Sequence, residues 1–194
     1  MSVLLLQNYL PAGALEFLRH WFSDYTIHIK ITKGRHSKLG DYIKLSDGTH
    51  RITINSTLPP PLFFFVLTHE LAHLIAFETF GRRILPHGRQ WKATYRKMLQ
   101  ESIQVYDLLL QPIILEYARA PKANYMSSPG LVRYFDDLAG NKLIYVESLE
   151  AGATFFYRGK RYRLEQRLKK NYLCQETDGG RKYLFKPLAK VERI

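Results

Sequence analysis

Residues 62–80, LFFFVLTHELAHLIAFETF, constrain the fold of this chain more than any other segment. Other parts of the protein must cover a helix this apolar, because exposing its apolar side chains to water would lose the free energy gained by burying them. His69, Glu70 and His73 interrupt the apolar run. Burying such polar groups costs free energy unless they are paired or bind a metal, so the interruption needs a chemical explanation.

A membrane-spanning helix is the first alternative for residues 62–80. The window contains two threonines, two glutamates and two histidines, and the chain has no second apolar run of spanning length that could shield those groups from lipid. The sequence therefore predicts a buried core helix and no membrane partner.

A metal site explains the two histidines. Residues four apart lie one turn from each other on the same face of a helix, so His69 and His73 can direct ring nitrogens at one zinc ion, about 2.0–2.1 Å away. Glu70 reaches the same cleft without binding the metal. Its carboxylate can take a proton from metal-activated water and pass it to a leaving amine. The H-E-x-x-H spacing is therefore interpreted as a catalytic zinc motif; three ordinary, partly buried histidines are the simpler alternative.

The third ligand is not set by this spacing. A histidine six residues after His73 would fall at Thr79, and Glu78 projects roughly 140° around the helix from His73. Glu101, on the following helix, is an alternative ligand. His87 is preferred because the sequence LPHG lets the chain reverse and present this histidine from the start of the next helix.

The pattern VLTHELAHLIAFETFG followed by PHGRQW resembles the SprT-like, or Spartan-related, family of zinc metallopeptidases. That family pairs an H-E-x-x-H helix with a later H-G-x-x-F/W segment whose histidine is the third zinc ligand. The resemblance covers about residues 10–118. It implies His69, His73 and His87 as ligands of one zinc ion per chain, with Glu70 as the catalytic base.

The resemblance also implies a fold and a function. The fold is a zincin-like domain, and the function is cleavage of proteins that are bound or crosslinked to DNA. Many family members end in a four-cysteine zinc ribbon, whereas this chain contains only Cys174. A C-terminal module must therefore be held together by packing, and a DNA contact made by the ribbon does not transfer to this chain.

The remaining pattern predicts an α+β fold. LPAGALEFLRHWF predicts an amphipathic helix, YTIHIKIT and HRITINSTL predict strands, and the connection between the strands has room for another short strand. The motif helix is expected to begin at the prolines 59–61 and to end at Gly81, and two later helices follow at GRQWKATYRKMLQES and QPIILEYARAP. We expect a zincin-like domain over residues 1–120, with helices packed on a small mixed sheet and the motif helix in its core.

The end of the chain predicts a second, smaller part. Residues 121–141 are rich in turn-forming types and predict a linker or insertion. Residues 142–194 predict a small basic antiparallel β module, with turns at Arg158–Gly159 and at residues 178–180. Fifty or so residues are close to the lower limit for independent folding, so the module is expected to pack on the first domain.

Positive charge is concentrated in this β module. Residues 142–194 hold 13 Lys and Arg against 6 Asp and Glu, in a chain of net charge +12. This predicts a polyanionic partner, DNA first, although a solvated basic face is the alternative. Period-two alternation puts Arg161 and Arg163 on one strand face and Tyr162 and Leu164 on the other. The predicted nucleic-acid contacts are the basic residues on or beside this hairpin: Arg158, Lys160, Arg161, Arg163, Arg167, Lys169 and Lys170.

Two functions of different class remain open. One is a zinc metalloendopeptidase acting on DNA-associated proteins; the other is a nucleic-acid-binding or scaffolding protein whose zinc site is purely structural. Glu70 favours the peptidase, because a closed structural site has no use for a carboxylate beside an open coordination position. An unrelated zinc hydrolase is a third alternative.

The expected location is the cytoplasm, with the nucleoid as the place of action if DNA is the partner. The single cysteine and the lack of a secretory signal in MSVLLLQNYLPAG lead to this expectation. The sequence does not decide the oligomeric state, the protein substrate or the group that stabilises the oxyanion. His36, His50 and Tyr95 are candidates for that last role, although an ordinary surface or packing role is the simpler explanation for each.

Overall fold

The computed structural model describes residues 3–35, 38–81, 83–140 and 144–194. They fall into two compact units, Met1–Ala139 and Gly140–Ile194. The described part of the first unit contains five α-helices and a three-stranded sheet, and the second unit contains a six-stranded antiparallel sheet. The predicted α+β class and the C-terminal antiparallel sheet are confirmed.

The elements of the first unit follow in this order: a 3-10 helix at Val3–Tyr9, α1 Ala14–Phe22, β1 Ile27–Thr32, β2 Gly40–Lys44, β3 His50–Asn55, α2 Pro60–Phe80, α3 Arg89–Glu101, α4 Leu110–Arg119 and α5 Pro129–Leu138.

The sheet of the first unit is mixed, with β3 in the centre. β1 pairs with β3 in parallel, so that Ile29 lies opposite Ile52, and β2 pairs with β3 antiparallel, so that Tyr42 lies opposite the same Ile52. The extra short strand for which the sequence left room is β2. Since β2 pairs only with β3 among the described strands, it forms one edge of the sheet.

The motif helix α2 forms the centre of the first unit. It begins at Pro60, where a proline costs nothing because the first N–H groups of a helix have no partner within it, and it ends at Gly81, whose φ of 80° breaks the helix. Its length and composition would allow it to cross a membrane, but 67% of its apolar window is buried inside the protein. The helix is therefore packed as a core element, with Phe63 and Leu67 completely buried.

Helix α5 corrects the predicted linker. Residues 129–138 lie within the segment 121–141, yet they form a helix whose Leu131 and Phe135 belong to the core of the first unit. The Phe135 ring lies 6.0 Å from the Phe65 ring of α2. The apolar residues of α5 recur at helical spacing, and their burial outweighs the turn-forming residues around them. The first unit therefore extends to Ala139 and not to residue 120.

The second unit is built from short antiparallel strands and an aromatic core. Its elements are β4 Ile144–Tyr145, a 3-10 turn at Val146–Ser148, β5 Thr154–Tyr157, β6 Lys160–Arg167, β7 Tyr172–Glu176, β8 Lys182–Phe185 and β9 Lys190–Arg193. The predicted β5–β6 turn is present, with φ positive at both Arg158 (51°) and Gly159 (76°), as the twist of a two-residue hairpin requires. Tyr162 and Leu164 are buried and Arg161 is exposed, as the alternation predicts.

Truncation of Phe135 tests whether α5 belongs to the first unit. Phe135→Ala removes a 3% exposed ring from the core and is expected to lower the free energy of unfolding by about 3–5 kcal/mol. Both tryptophans of the chain, Trp21 and Trp91, lie in this unit, so tryptophan fluorescence during urea unfolding reports on it alone.

The matched control is Leu138→Ala on the same helix. Leu138 is 46% exposed, so its truncation is expected to change the unfolding free energy by less than about 0.5 kcal/mol. Equal effects of the two substitutions would contradict the packing of α5 in this core.

Candidate metal centre

Three histidine side chains converge on one point at the surface of α2. The His73 Nε2 lies 3.0 Å from the His87 Nε2, which in turn lies 3.2 Å from the His69 Nε2. Within the described residues these three form the group of side chains that could hold a metal ion. The structure therefore brings together the three histidines that the sequence singled out.

The chemistry of this donor set fits a cation. A neutral imidazole nitrogen carries either a proton or a lone pair, so three Nε2 atoms meeting at one point cannot all be satisfied by hydrogen bonds to each other. A tetrahedral zinc ion with nitrogens at about 2.0–2.1 Å would hold them roughly 3.3–3.4 Å apart, slightly wider than they stand here. A small rotation of the rings closes that difference.

Burial keeps the three imidazoles neutral. Removal from water, followed by the neighbouring His73 and His87, lowers the pKa of His69 to about 3. The same two causes, burial and then His87, lower the pKa of His73 to about 4, and burial followed by Lys92 lowers the pKa of His87. The neutral form is the one that binds metals, so these ligands need not lose protons at neutral pH.

A strained turn delivers His87 to the other two histidines. His87 has a φ of 58°, in the left-handed region that non-glycine residues adopt at a cost of roughly 1–3 kcal/mol. The next residue, Gly88, donates its N–H to the Leu85 carbonyl at 2.9 Å, and a Cβ at Gly88 would meet that oxygen at 2.9 Å. The strained backbone is thus held by a tight turn and directs the imidazole back onto α2.

Trp91 packs against all three histidines and was not singled out as a site residue from the sequence. It is 1% exposed, and its ring lies 4.7 Å from His69, 5.2 Å from His73 and 4.6 Å from His87. The indole N–H points at the His69 carbonyl at 3.4 Å. The signal in the sequence was its place as the final aromatic residue of the H-G-x-x-F/W segment, four residues after His87.

Glu101 and Glu78, the two carboxylates considered as alternative third ligands, lie away from the histidine cluster. Glu101 is at the end of α3, where it faces Lys97 at 3.6 Å. Glu78 contacts Lys44 at 2.7 Å and lies 3.9 Å from the His50 ring. Neither belongs to the histidine cluster.

Glu70 lies in the same cleft as the histidines and is only 8% exposed. Burial, and then the nearby Asp41 carboxylate, raise the pKa of Glu70 to about 8, against the opposing effect of Lys38 and Arg35. A carboxyl with such a pKa can accept and release a proton near neutral pH. Gly40 makes room for it, because a Cβ there would lie 2.7 Å from the Glu70 Oε1.

The cleft around this centre has a volume of about 750 Å³. Four segments line it. Residues 38–42 belong to β2 and the residues before it, and part of residues 65–77 belongs to α2. Residues 84–87, with Trp91, come from the turn before α3 and its first turn, and residues 123–126 come from the segment before α5. A cleft of this size admits several residues of a polypeptide.

Two of the three residues considered for oxyanion stabilisation, Tyr95 and His50, do not line this cleft. Tyr95 is completely buried and donates its hydroxyl to the Phe65 carbonyl at 3.1 Å. His50 is 4% exposed, and its Nδ1 lies 3.1 Å from the Tyr42 hydroxyl. His36 lies outside the described residues.

Two tyrosines, Tyr42 and Tyr125, do line the cleft. Tyr42 stacks parallel to the His73 ring at 6.5 Å. Tyr125 lies in the segment that the sequence predicted as a linker, so no pattern drew attention to it. Their position in the cleft depends on how distant segments pack, which the sequence pattern did not reveal.

The predicted nucleic-acid contacts are all exposed on the second unit. Three of them rest on aromatic rings: Arg158 lies 5.3 Å from the Tyr157 ring, Arg161 lies 5.4 Å from the Phe156 ring, and Arg167 lies 5.9 Å from the Tyr172 ring. Lys160 instead pairs with Glu176 at 2.8 Å.

Residues 15–107 match the family model described as SprT-like family. Curated relatives match over shorter stretches. The protein SprT of Actinobacillus succinogenes is 44% identical over 41 residues, which cover 21% of this chain and 24% of the relative. The protein SprT of Pseudomonas fluorescens strain Pf-5 is 35% identical over 60 residues, which cover 29% of this chain and 37% of the relative.

A third relative, the protein SprT of Pseudomonas aeruginosa strain LESB58, is 53% identical over 30 residues, which cover 16% of this chain and 18% of the relative. The chain therefore spans well under half the length of these relatives. No solved structure gives a significant match to the chain. The resemblance indicated by the two-part histidine motif is nevertheless confirmed, because the SprT-like match spans residues 15–107, which contain the three converging histidines and Glu70.

Proposed function

We propose that this protein is a zincin-like zinc metalloendopeptidase whose substrates are proteins associated with or crosslinked to DNA. The observation that carries the proposal is the convergence of three histidine nitrogens beside a buried glutamate in a wide cleft. The match of residues 15–107 to the SprT-like family model supports the same assignment.

The residues of the centre divide the chemistry between them. His69, His73 and His87 would hold one zinc ion, which when bound supplies Lewis-acid activation of water and of the scissile carbonyl. Glu70 accepts a proton from the attacking water and returns it to the nitrogen of the leaving amine. Its raised pKa suits both halves of that transfer, since the carboxyl binds and releases a proton near neutral pH.

The edge strand β2 supplies a place for an extended peptide. The Leu39 carbonyl accepts from Asn55, and the Leu45 N–H donates to Thr49, so alternate residues of β2 are bonded inward to β3. By antiparallel alternation the backbone groups of Gly40, Tyr42 and Lys44 point away from the sheet. A substrate strand can pair with them, as in other cases of strand addition, and pass beside Glu70.

A purely structural zinc site is less well supported. Structural sites are closed by a fourth protein ligand, whereas within the described residues the cluster offers three histidines and lines a cleft of about 750 Å³. The cleft and the buried Glu70 beside it are features that catalysis requires and a structural site does not.

Nucleic acid is the proposed partner of the second unit. Arg161 and Arg163 stand exposed on the strand face opposite the buried Tyr162 and Leu164. The Phe156 ring beneath Arg161 adds an aromatic surface to this face. Cations beside aromatic rings suit contacts to phosphates and to unpaired bases.

Metal content tests the ligand assignment. His87→Ala removes one of the three proposed ligands and leaves the two on α2. Because a site with two protein ligands holds zinc less tightly, zinc affinity is expected to weaken by well over tenfold. Elemental analysis of the purified protein, and a competition titration with a chelator, measure this. The matched control is Glu101→Ala on α3, which is expected to keep about one zinc per chain; the reverse result would show that the third ligand is assigned wrongly.

Glu70→Gln tests the catalytic base. The amide keeps the size of the side chain but cannot accept the water's proton, so we expect cleavage of a DNA-bound protein to fall by about 10²–10⁴-fold while zinc content is retained. The assay compares wild type and variant with and without DNA. Full activity in Glu70→Gln would remove this mechanism, and a wild type inactive under every DNA condition would favour the scaffold function.

Salt dependence tests the nucleic-acid contact. Replacing Arg161, Arg163 and Arg167 together with glutamine is expected to lower DNA affinity and to reduce the slope of log affinity against log salt by roughly 2–3, one unit or slightly less for each lost phosphate contact. Binding titrations at several salt concentrations measure both quantities.

The control for this experiment removes the same charge from the first unit. Arg19, Lys30 and Arg51 are exposed there, and their joint replacement by glutamine lowers the net charge equally. We expect a much smaller change in the salt slope. If both triple variants behave alike, or if neither changes the binding, the basic residues of the second unit do not form the contact surface.

A further inference from the structure

The side chain of Tyr125 forms part of the cleft wall and has no role in the mechanism proposed above. It lines the same cleft as the three histidines and Glu70. When water adds to a peptide carbonyl, its oxygen gains negative charge, and a hydrogen-bond donor aimed at that oxygen accelerates the step. Among the described residues, the two candidates from the sequence do not supply this donor, because Tyr95 and His50 do not line the cleft and have partners elsewhere.

The Tyr125 ring is fixed beside the row of residues that carries the ligands. It packs edge-on against Phe65 at 6.1 Å and against Phe135 at 5.7 Å. Phe65 lies four residues before His69, one turn along the same face of α2. Tyr125 therefore stands at the Phe65 end of this row, as Tyr42 stands at the His73 end.

The backbone around Tyr125 is also fixed. The Asn124 side chain accepts from the Met126 N–H at 2.9 Å, the Ser127 hydroxyl donates to the Asn124 carbonyl at 2.7 Å, and the Ser128 N–H donates to the Tyr125 carbonyl at 2.7 Å. A donor held in this way needs little rearrangement when charge develops, which is the property that makes electrostatic stabilisation effective.

The hydroxyl of Tyr125 is free to bind. It has no hydrogen-bond partner among the described residues, whereas the hydroxyls of Tyr95, Tyr42 and Tyr117 each have one. Burial, followed by the charge of Asp136, raises the pKa of Tyr125 to about 12, so the phenol stays protonated at neutral pH. It can therefore act as a hydrogen-bond donor at neutral pH.

We propose that the Tyr125 hydroxyl donates a hydrogen bond to the scissile carbonyl oxygen as water adds to the carbonyl carbon. The water oxygen bonds to that carbon, its proton passes to Glu70, and the π electron pair of the carbonyl moves onto the oxygen that faces Tyr125. The C–N bond then breaks as Glu70 gives the proton to nitrogen, and the carbonyl re-forms. This role rests on the proposed peptidase function.

Tyr125→Phe isolates the hydroxyl, because the ring that packs on Phe65 is retained. We expect kcat to fall by about 10²–10³-fold, the usual effect of removing one such donor, with KM changed by less than about threefold. Zinc content and urea unfolding are expected to match those of the wild type.

The matched control is Tyr134→Phe. Tyr134 packs on the same Phe135 ring at 5.6 Å, but its hydroxyl donates to Asp107 and it does not line the cleft. We expect its kcat to stay within about threefold of the wild type.

A binding measurement gives a readout that does not depend on turnover. A phosphinic peptide presents a tetrahedral, anionic group in place of the scissile bond, so Tyr125→Phe is expected to weaken its binding by about as much as kcat falls. Binding of the uncleaved substrate, measured in the Glu70→Gln background, is expected to change little. Calorimetry measures both affinities.

The outcomes separate the two proposals. If wild type cleaves its substrate, Glu70→Gln does not, and Tyr125→Phe retains both kcat and affinity for the phosphinic peptide, only the role of Tyr125 is wrong. A loss of activity accompanied by loss of zinc or of stability in Tyr125→Phe would show a structural role and would overturn the proposal. A wild type with no Glu70-dependent cleavage removes the peptidase function and this role with it.

Discussion

Burial of the helix α2 is the constraint on which the rest of the structure depends. Most of its side chains are enclosed by the first unit, so any polar group on it must be compensated within the protein. Thr68 solves this locally by donating its hydroxyl to the Phe64 carbonyl at 2.8 Å. His69 and His73 are less enclosed than their neighbours, and their nitrogens meet the ring of His87. The functional centre thus lies where the packing around this core helix is incomplete.

The same burial sets the electrostatics of the centre. Removal from water disfavours charge, which lowers the pKa of His69 and His73 and raises the pKa of Glu70. The result is a set of neutral nitrogen donors beside a carboxyl that exchanges its proton near neutral pH. Neutral nitrogens are the form that metal binding needs, and a carboxyl with a pKa near neutrality can take up and release a proton in turn; one physical cause produces both properties.

Aromatic packing forms the core of the second unit. The Tyr162 ring lies 5.8 Å from Phe155 and 5.1 Å from Phe185, and Phe155 lies 5.4 Å from Phe185. The only cysteine, Cys174, is completely buried in the same core. Because these side chains face inward from alternate positions, the positions between them are left for basic residues, and core and charged face arise from one period-two pattern.

The sequence by itself determined every feature that depends on a local period. Four-residue spacing places His69 and His73 on one helix face, alternation separates Arg161 from Tyr162, and prolines and a glycine bound α2. Tertiary structure decided the features that join distant segments. Packing against α2 made residues 129–138 a helix, although turn-forming residues suggested a linker.

The cleft beside the histidine cluster shows the same division. The left-handed turn at His87 and the Trp91 ring set where the third nitrogen lies, and the close approach of Gly40 to Glu70 joins a strand to a helix thirty residues later. Tyr125 reaches the cleft only because α5 and the segment before it pack on Phe65. Local spacing fixes which side chains share a face, but contacts between remote segments depend on the packing of the whole core, which no single stretch of sequence encodes.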